Sequence, residues 1–159
     1  MPEAMTHGLG WLQSTSLAIA IANSLYLMAG LSALHLVGFT LLMGSALVGN
    51  LRLVGIVLPT LPIADVVRPA RRAIALGLAL SVATGLLLFS TRALNAVYNW
   101  IFDVKMGLLL AAIVFHVVVP SRFASSALRP SGAARIVGAG GLLLWIGVAL
   151  AGCAFIFLE

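Results

Sequence analysis

Two histidines, His35 and His116, are the residues in this sequence best suited to bind a cofactor. Each lies inside a long apolar stretch, ALHLVGFTLL for the first and LLLAAIVFHVVV for the second. An imidazole in hydrocarbon finds no water, so it needs a partner from the protein or from a bound ligand. Because histidine nitrogen ligates both haem iron and copper, the pair predicts a site for haem b or copper. The alternative is a histidine that is hydrogen-bonded within a bundle of packed helices.

The residues that follow His35 indicate which side of its helix faces protein. At about 100° per residue, Gly38, Ser45, Gly49 and Arg52 fall on the same side as His35. Three of these four residues are small and let a second helix approach closely, so this side should contact protein and not lipid. We expect Arg52 at the membrane boundary, where its guanidinium reaches polar groups while its stem stays apolar.

The composition places the chain in a membrane. Of its 159 residues, 62% are hydrophobic and 8% are charged, whereas soluble domains carry about 25% charged residues. Such a chain could not cover a water-facing surface, and it is expected to be integral to the lipid bilayer. Its arginines lie between the apolar stretches, which indicates membrane topology and gives no support to nucleic-acid binding.

The sequence contains no recognisable catalytic set. With four acidic residues and one cysteine, Cys153, it offers no internal disulfide, multi-cysteine metal site or intramembrane carboxylate pair. The signatures of phosphate loops, nucleotide-binding folds and HExxH metalloproteases are absent as well. The pattern therefore leaves enzymatic activity open and favours a chain with none of its own.

The apolar stretches predict an all-α fold in a single membrane domain over residues 1–159. The predicted fold is a four-helix antiparallel bundle that spans the membrane at about residues 25–51, 73–91, 102–119 and 136–158. Residues 9–22 are predicted to form a short interfacial helix, and the alternative is that they cross the membrane too. Spans one and three run in the same direction, and 1.5 Å per residue predicts a depth difference of about 6 Å between His35 and His116.

The distribution of basic residues predicts the orientation. The first and third connectors with their flanks hold seven arginines: Arg52, Arg68, Arg71, Arg72, Arg122, Arg129 and Arg135. The opposite side holds Arg92 and Lys105. By the positive-inside rule, the arginine-rich connectors lie in the cytoplasm and both termini in the periplasm of a bacterial inner membrane.

The order of short motifs along the chain resembles a known family. The motifs are HLVG at 35–38, GSALVGNLRLVG at 44–55, TGLLLF at 84–89, FDVKMGLLL at 102–110 and LLLWIGVALAG at 142–152. They resemble a bacterial family of small four-helix inner-membrane proteins, a domain of unknown function, and more distantly the membrane region of copper resistance protein D. The resemblance implies the fold and the signature residues His35, Arg52, Lys105 and Trp145, but no activity.

The chain departs from that family pattern at two charged positions. Asn50 stands where the family usually has an aspartate, and Cys153 stands where it usually has an arginine. Loss of both members of an ion pair destabilises a folded protein far less than loss of one member alone. However, the predicted topology puts the two residues at opposite ends of the bundle, which argues against such a pair.

Two hypotheses of function follow from these residues. In the first, the protein handles redox or metal chemistry, and His35, with or without His116, holds haem b or copper. In the second, it is a non-catalytic accessory or scaffold subunit that docks against a larger membrane complex, or against its own copies, through glycine-rich helix faces. The sequence names neither a ligand nor a partner.

Overall fold

The computed structural model describes residues 3–118 and 120–157, and these form an all-α bundle of four long helices. In chain order the helices are α1 (Glu3–Gln13), α2 (Ser16–Asn23), α3 (Leu25–Val54), α4 (Ile63–Thr91), α5 (Ala93–Val97), α6 (Trp100–Val118), α7 (Pro120–Phe123) and α8 (Gly132–Phe157). The helices α3, α4, α6 and α8 are each long and apolar enough to cross a membrane. The predicted fold class is therefore confirmed. The predicted span ends at Val119 and Leu158 lie outside the described residues.

The N-terminal segment forms two helices where the sequence predicted one over residues 9–22. The chain breaks at Ser14 and Thr15, because the Thr15 hydroxyl accepts a hydrogen bond from the backbone N–H of Ala18 and so begins α2. The Gln13 side chain donates to the backbone carbonyl of Thr91 over 3.1 Å. This bond ties the segment to the end of α4, at the same end of the bundle where α3 begins.

Helix α4 begins at Ile63, ten residues before the predicted span start at Ala73. The arginines from Arg68 to Arg72 are therefore helical and do not belong to a loop. Arginine favours a helix, and Pro69, the seventh residue of α4, removes one hydrogen bond to the Asp65 carbonyl without ending the helix. Since 29 residues extend about 44 Å along an axis, α4 is longer than the hydrocarbon core, which is about 30 Å thick.

Glycines set the closest approach in the bundle. A Cβ atom built on Gly77 of α4 would lie 2.6 Å from the backbone nitrogen of Leu42 and 2.7 Å from the carbonyl oxygen of Gly38, both in α3. Real Cβ atoms do not approach backbone atoms this closely, so α3 and α4 can pack at this distance only with glycine here. Helix α3 also packs against α8, and α8 packs against α6.

The four long helices enclose an apolar core. Its buried members are Leu42, Ala46, Ile74, Ala112, Trp145 and Val148. We call the end where α3 and α6 finish and α4 and α8 begin the arginine-rich end, and the other the opposite end. A second apolar cluster, of Leu53, Ile63, Val67 and Ala134, closes the arginine-rich end. The core therefore separates polar side chains at one end of the bundle from those at the other.

Candidate functional site

His35 lies inside the bundle, and its ring is oriented by Thr84. The ring Nδ1 and the Thr84 Oγ1 are 3.0 Å apart, and the Thr84 hydroxyl donates to the carbonyl of Leu80 over 2.7 Å. Because a hydroxyl has one proton and that of Thr84 goes to Leu80, this arrangement favours the tautomer in which Nδ1–H donates to Thr84 and Nε2 carries the lone pair. The described hydrogen bonds give Nε2 no partner. Its lone pair is free for a ligand.

Lys105 of α6 lies on the same level of the bundle. It is near enough to His35 for the two charges to interact, and its ammonium lies 5.6 Å from the centre of the Phe155 ring. Phe102, one turn before Lys105, stacks on Phe89 of α4 with ring centres 5.4 Å apart. Among the described residues no carboxylate is found paired with Lys105. The Ser81 backbone lies beside the His35 ring. We call His35, Ser81, Thr84 and Lys105 the His35 site.

His116 lies near the arginine-rich end of the bundle, where it contacts Trp145 and Arg71. Its ring meets the Trp145 ring edge-on, with centres 6.5 Å apart, and it lies beside the backbone of Arg71. Trp145 is 1% exposed, so its indole packs inside the bundle. His116 is thus part of the wall of the core and not part of the His35 site.

The structure does not bring His35 and His116 together. On α4, the His35 ring lies against Ser81 to Gly85, whereas the His116 ring lies against Arg71. Ten or more residues of helix separate these contacts, which corresponds to about 15–20 Å. Two axial ligands of one haem iron lie only about 4 Å apart, since each metal–nitrogen bond is about 2 Å long. One metal centre cannot be shared by both histidines in this arrangement.

Arg52 is completely buried at the arginine-rich end. Its Nη2 donates to the carbonyls of Leu61 and Leu128, each over 2.7 Å, and so it joins the two connectors that flank α4 and α8. Gly55 ends α3 three residues later, with a φ of 95° that a residue other than glycine rarely adopts. The position at the end of the helix was expected from the sequence. The full burial was not.

Other residues of interest were missed by sequence reasoning. Buried polar atoms without a hydrogen-bond partner include Asn50 Oδ1, Arg71 Nη1, Ser81 Oγ and Trp145 Nε1. Serine and asparagine carry no distinctive sequence signal, and Arg71 was assigned to a loop. Cys153 is exposed, away from the core.

This architecture defines a class, the small multi-pass membrane proteins built as a four-helix bundle with polar side chains inside. Residues 9–158 match a family model described as a family of unknown function, DUF6644, and the chain belongs to this family. The predicted resemblance to an uncharacterised family is thereby confirmed. No curated protein and no solved structure matches the chain.

Proposed function

We propose that the protein binds one haem b and that the His35 imidazole would hold its iron. The observation that supports this is the His35–Thr84 hydrogen bond, which holds the ring by Nδ1 and leaves the Nε2 lone pair without a protein partner. Ligating histidines commonly donate the other ring N–H to a neighbouring acceptor in this way. A bound haem would supply one-electron transfer or binding of a small gas molecule.

The ammonium group of Lys105 favours haem over copper as the ligand of the His35 site. A copper ion is a cation, so an ammonium with no carboxylate beside it would repel the metal. The part of the chain that the structure describes also contains no group of three or more histidine, cysteine or acidic side chains. Haem carries propionates, which an ammonium attracts, and a wide apolar ring, which suits the aromatic side chains Phe89, Phe102 and Phe155.

The test is the visible spectrum of protein expressed with ample haem and purified in mild detergent. We expect a haem absorption band for the wild type and none for His35→Ala or His35→Gln, because an amide is a poor ligand for haem iron. His116→Ala is the matched control, since its ring lies about 15–20 Å away along α4, and it should keep the band.

The outcomes separate the proposal from a structural role for His35. If His35 only hydrogen-bonds between helices, an interaction that averages about 0.6 kcal/mol in membranes, glutamine could largely replace it and the wild type would show no band. A colourless, iron-free wild type overturns the proposal. A band that His116→Ala removes and His35→Ala keeps overturns the assignment of the ligand.

A second candidate function is that of an accessory or scaffold subunit in a larger membrane complex or a homo-oligomer. Its support is a set of glycines with no neighbouring atom within 4 Å of where a Cβ would lie: Gly30, Gly44, Gly107, Gly140 and Gly152. Such positions let another transmembrane helix approach closely. In this case purification in mild detergent should yield a stable assembly in place of a monomer.

We further propose that the protein lies in a bacterial inner membrane with both termini in the periplasm. The seven arginines at one end of the bundle support this orientation. A reporter enzyme fused after Glu159 should be active if it requires the periplasm and inactive if it requires the cytoplasm. The opposite result would mean that the orientation or the number of spans is wrong.

A further inference from the structure

A cavity of about 220 Å³ lies at the arginine-rich end, where the start of α4 meets the connector between α7 and α8. The polar residues that line it are Arg122, Ser125, Arg129 and Ser131, and its apolar lining includes Ile63 and Phe123. We call it the connector cavity. It shares no residue with the His35 site, so the function proposed above does not account for it.

Hydrogen bonds hold the walls of the connector cavity in place. The backbone N–H of Ala64, at the start of α4, donates to the carbonyl of Ser125 over 2.8 Å. The Arg52 side chain, near the end of α3, donates to the carbonyl of Leu128 over 2.7 Å. Because the connector is bonded to two long helices, the cavity exists before a ligand arrives, and binding requires little ordering of the backbone.

The polar side chains of this cavity are suited to donate hydrogen bonds to an anion. Arg122 and Arg129 each carry a planar guanidinium, which forms paired hydrogen bonds with phosphate or carboxylate oxygens. The Ser131 hydroxyl oxygen accepts from the backbone N–H of Ala134 over 3.2 Å and so caps the start of α8. Its own proton remains available to a ligand. Two cationic side chains and a hydroxyl donor therefore border one space.

Within the part of the chain that the structure describes, no carboxylate neutralises the arginines of the cavity. The sequence from 52 to 72 and from 119 to 135 contains one acid, Asp65. Asp65 does not line the cavity, and at about 100° per residue it lies roughly 200° around α4 from Ile63, which does. The carboxylate thus belongs to the other side of the helix, and the positive charge of the cavity is left for a ligand.

The buried guanidinium of Arg52 adds a third positive charge behind the connector. Arg52 is completely buried, and its Nε and Nη1 have no hydrogen-bond partner among the described residues. Its Nη2 bonds to the Leu128 carbonyl, which belongs to the peptide bond that joins Leu128 to Arg129. The buried charge therefore lies directly behind the backbone of a lining residue, where water and salt screen it only weakly. An anion in the cavity would be attracted by all three arginines.

The size and the level of the cavity favour a phosphate that belongs to a lipid. Pockets for drug-sized ligands measure about 300–1,000 Å³, so 220 Å³ suits a single headgroup better than a nucleotide. Helix α4 extends about 44 Å, which matches a bilayer of about 40–45 Å with its headgroups and places Ile63, its first residue, at headgroup level. Basic pockets at this level of a membrane protein bind anionic lipid headgroups.

We propose that the connector cavity binds a phosphate group between the Arg122 and Arg129 guanidiniums, and that this phosphate belongs to the headgroup of an anionic phospholipid. The Ser131 hydroxyl donates a further hydrogen bond to the phosphate. The apolar side chains of Ile63 and Phe123 contact the glycerol carbons next to it. The lipid thereby holds the connector against the starts of α4 and α8. This binding does not depend on haem at His35.

The test measures the thermal unfolding temperature of the full chain in mild detergent, which rises when a ligand binds only the folded protein. The probes are short-chain phosphatidylglycerol, phosphatidylcholine of the same chain length, whose ammonium offsets the phosphate charge, and soluble glycerol phosphate. We expect a saturable rise with phosphatidylglycerol and a much smaller one with phosphatidylcholine. Equal midpoints for glycerol phosphate and phosphatidylglycerol would keep the phosphate site and assign it to a free phosphate ester. Equal rises with the two lipids, or no rise with either anionic probe, overturn the proposal.

Two double variants separate the cavity from the net charge of this end of the bundle. Arg122→Gln/Arg129→Gln and Arg68→Gln/Arg72→Gln each remove two exposed arginines from the arginine-rich end, but the second pair does not line the cavity. The first double variant should raise the midpoint of the phosphatidylglycerol titration by at least about tenfold through loss of charged hydrogen bonds. The second should leave it nearly unchanged, because salt screens exposed charges at a distance. Equal midpoints in the two double variants overturn the proposal.

Native mass spectrometry gives a second measurement that remains available if the double variant of the cavity does not fold. It counts the lipid molecules that stay bound to the folded protein. At low lipid concentration the wild type should retain one phosphatidylglycerol, and the single variant Arg129→Gln, at an exposed position, should retain much less. Arg129→Lys keeps the charge but loses the paired hydrogen bonds, so its retention should lie between those of Arg129→Gln and the wild type. Equal retention by Arg129→Gln and the wild type contradicts the site.

Discussion

Replacement of Gly77 by valine should prevent the bundle from assembling with α3 and α4 at their present distance. The new side chain would meet the backbone nitrogen of Leu42 and the carbonyl of Gly38, and backbone atoms cannot rotate out of the way. Overpacking typically costs about 1–3 kcal/mol, and we expect the upper end of that range. The thermal unfolding temperature in mild detergent should fall sharply, and the yield of folded protein with it.

Gly44→Val is the matched control for this change. Gly44 lies in the middle of α3, and a Cβ there would have no atom within 4 Å. Both substitutions place a β-branched residue inside a transmembrane helix, so differences in helix propensity largely cancel. As a monomer, Gly44→Val should unfold near the wild-type temperature. Equal losses in the two variants would mean that the α3–α4 contact is not as close as described.

Loss of Arg52 is the other change that should strongly destabilise the fold. Arg52→Met keeps much of the side-chain volume but removes both hydrogen bonds to the carbonyls of Leu61 and Leu128. Hydrogen bonds from charged groups contribute about 1.5–3 kcal/mol each. Because Leu61 and Leu128 belong to different connectors, their carbonyls should lose their common anchor. We expect a destabilisation of about 3 kcal/mol or more, measured by reversible unfolding in detergent.

Arg72→Met tests whether the effect of Arg52→Met depends on this anchor. It removes the same charge at the same end of the bundle, but Arg72 is exposed, so its replacement should destabilise the fold only slightly. The stability of Arg52→Lys should lie between those of Arg52→Met and Arg72→Met, because one ammonium cannot reproduce the planar geometry of a guanidinium. A stability for Arg52→Met close to that of Arg72→Met would show that net charge, and not the anchor, is what matters.

The overall fold could be predicted because the length and apolarity of each span are visible in the chain. The spacing of His35, Gly38 and Gly49 also indicated correctly that this side of α3 faces protein. The beginning of α4 could not be found in this way, because the positive-inside rule locates arginines relative to the membrane and does not say whether they are helical. The break at Ser14 and Thr15 depends on a hydroxyl cap, which a hydropathy pattern does not contain.

The depth of the two histidines shows what spacing along a chain leaves undetermined. The estimate of about 6 Å assumed that spans one and three begin at the same level. In the structure, the contacts of His35 and His116 along α4 imply that α6 begins roughly 10 Å further into the bundle than α3. The short helix α5 precedes α6 at this end. Such a shift in level depends on tertiary packing, so the position of a shared site could not be derived from either span alone.

The lengths of α3 and α4 determine how the protein fits a bilayer. Their 30 and 29 residues extend about 45 Å and 44 Å, whereas the hydrocarbon core of a bilayer is about 30 Å thick. A helix that is longer than the hydrocarbon core can tilt to fit it. Because Gly38 and Gly77 hold the two helices in close contact, α3 and α4 should tilt together. Bilayers of shorter-chain lipids should therefore increase the tilt of both helices alike and leave the His35–Thr84 contact in place.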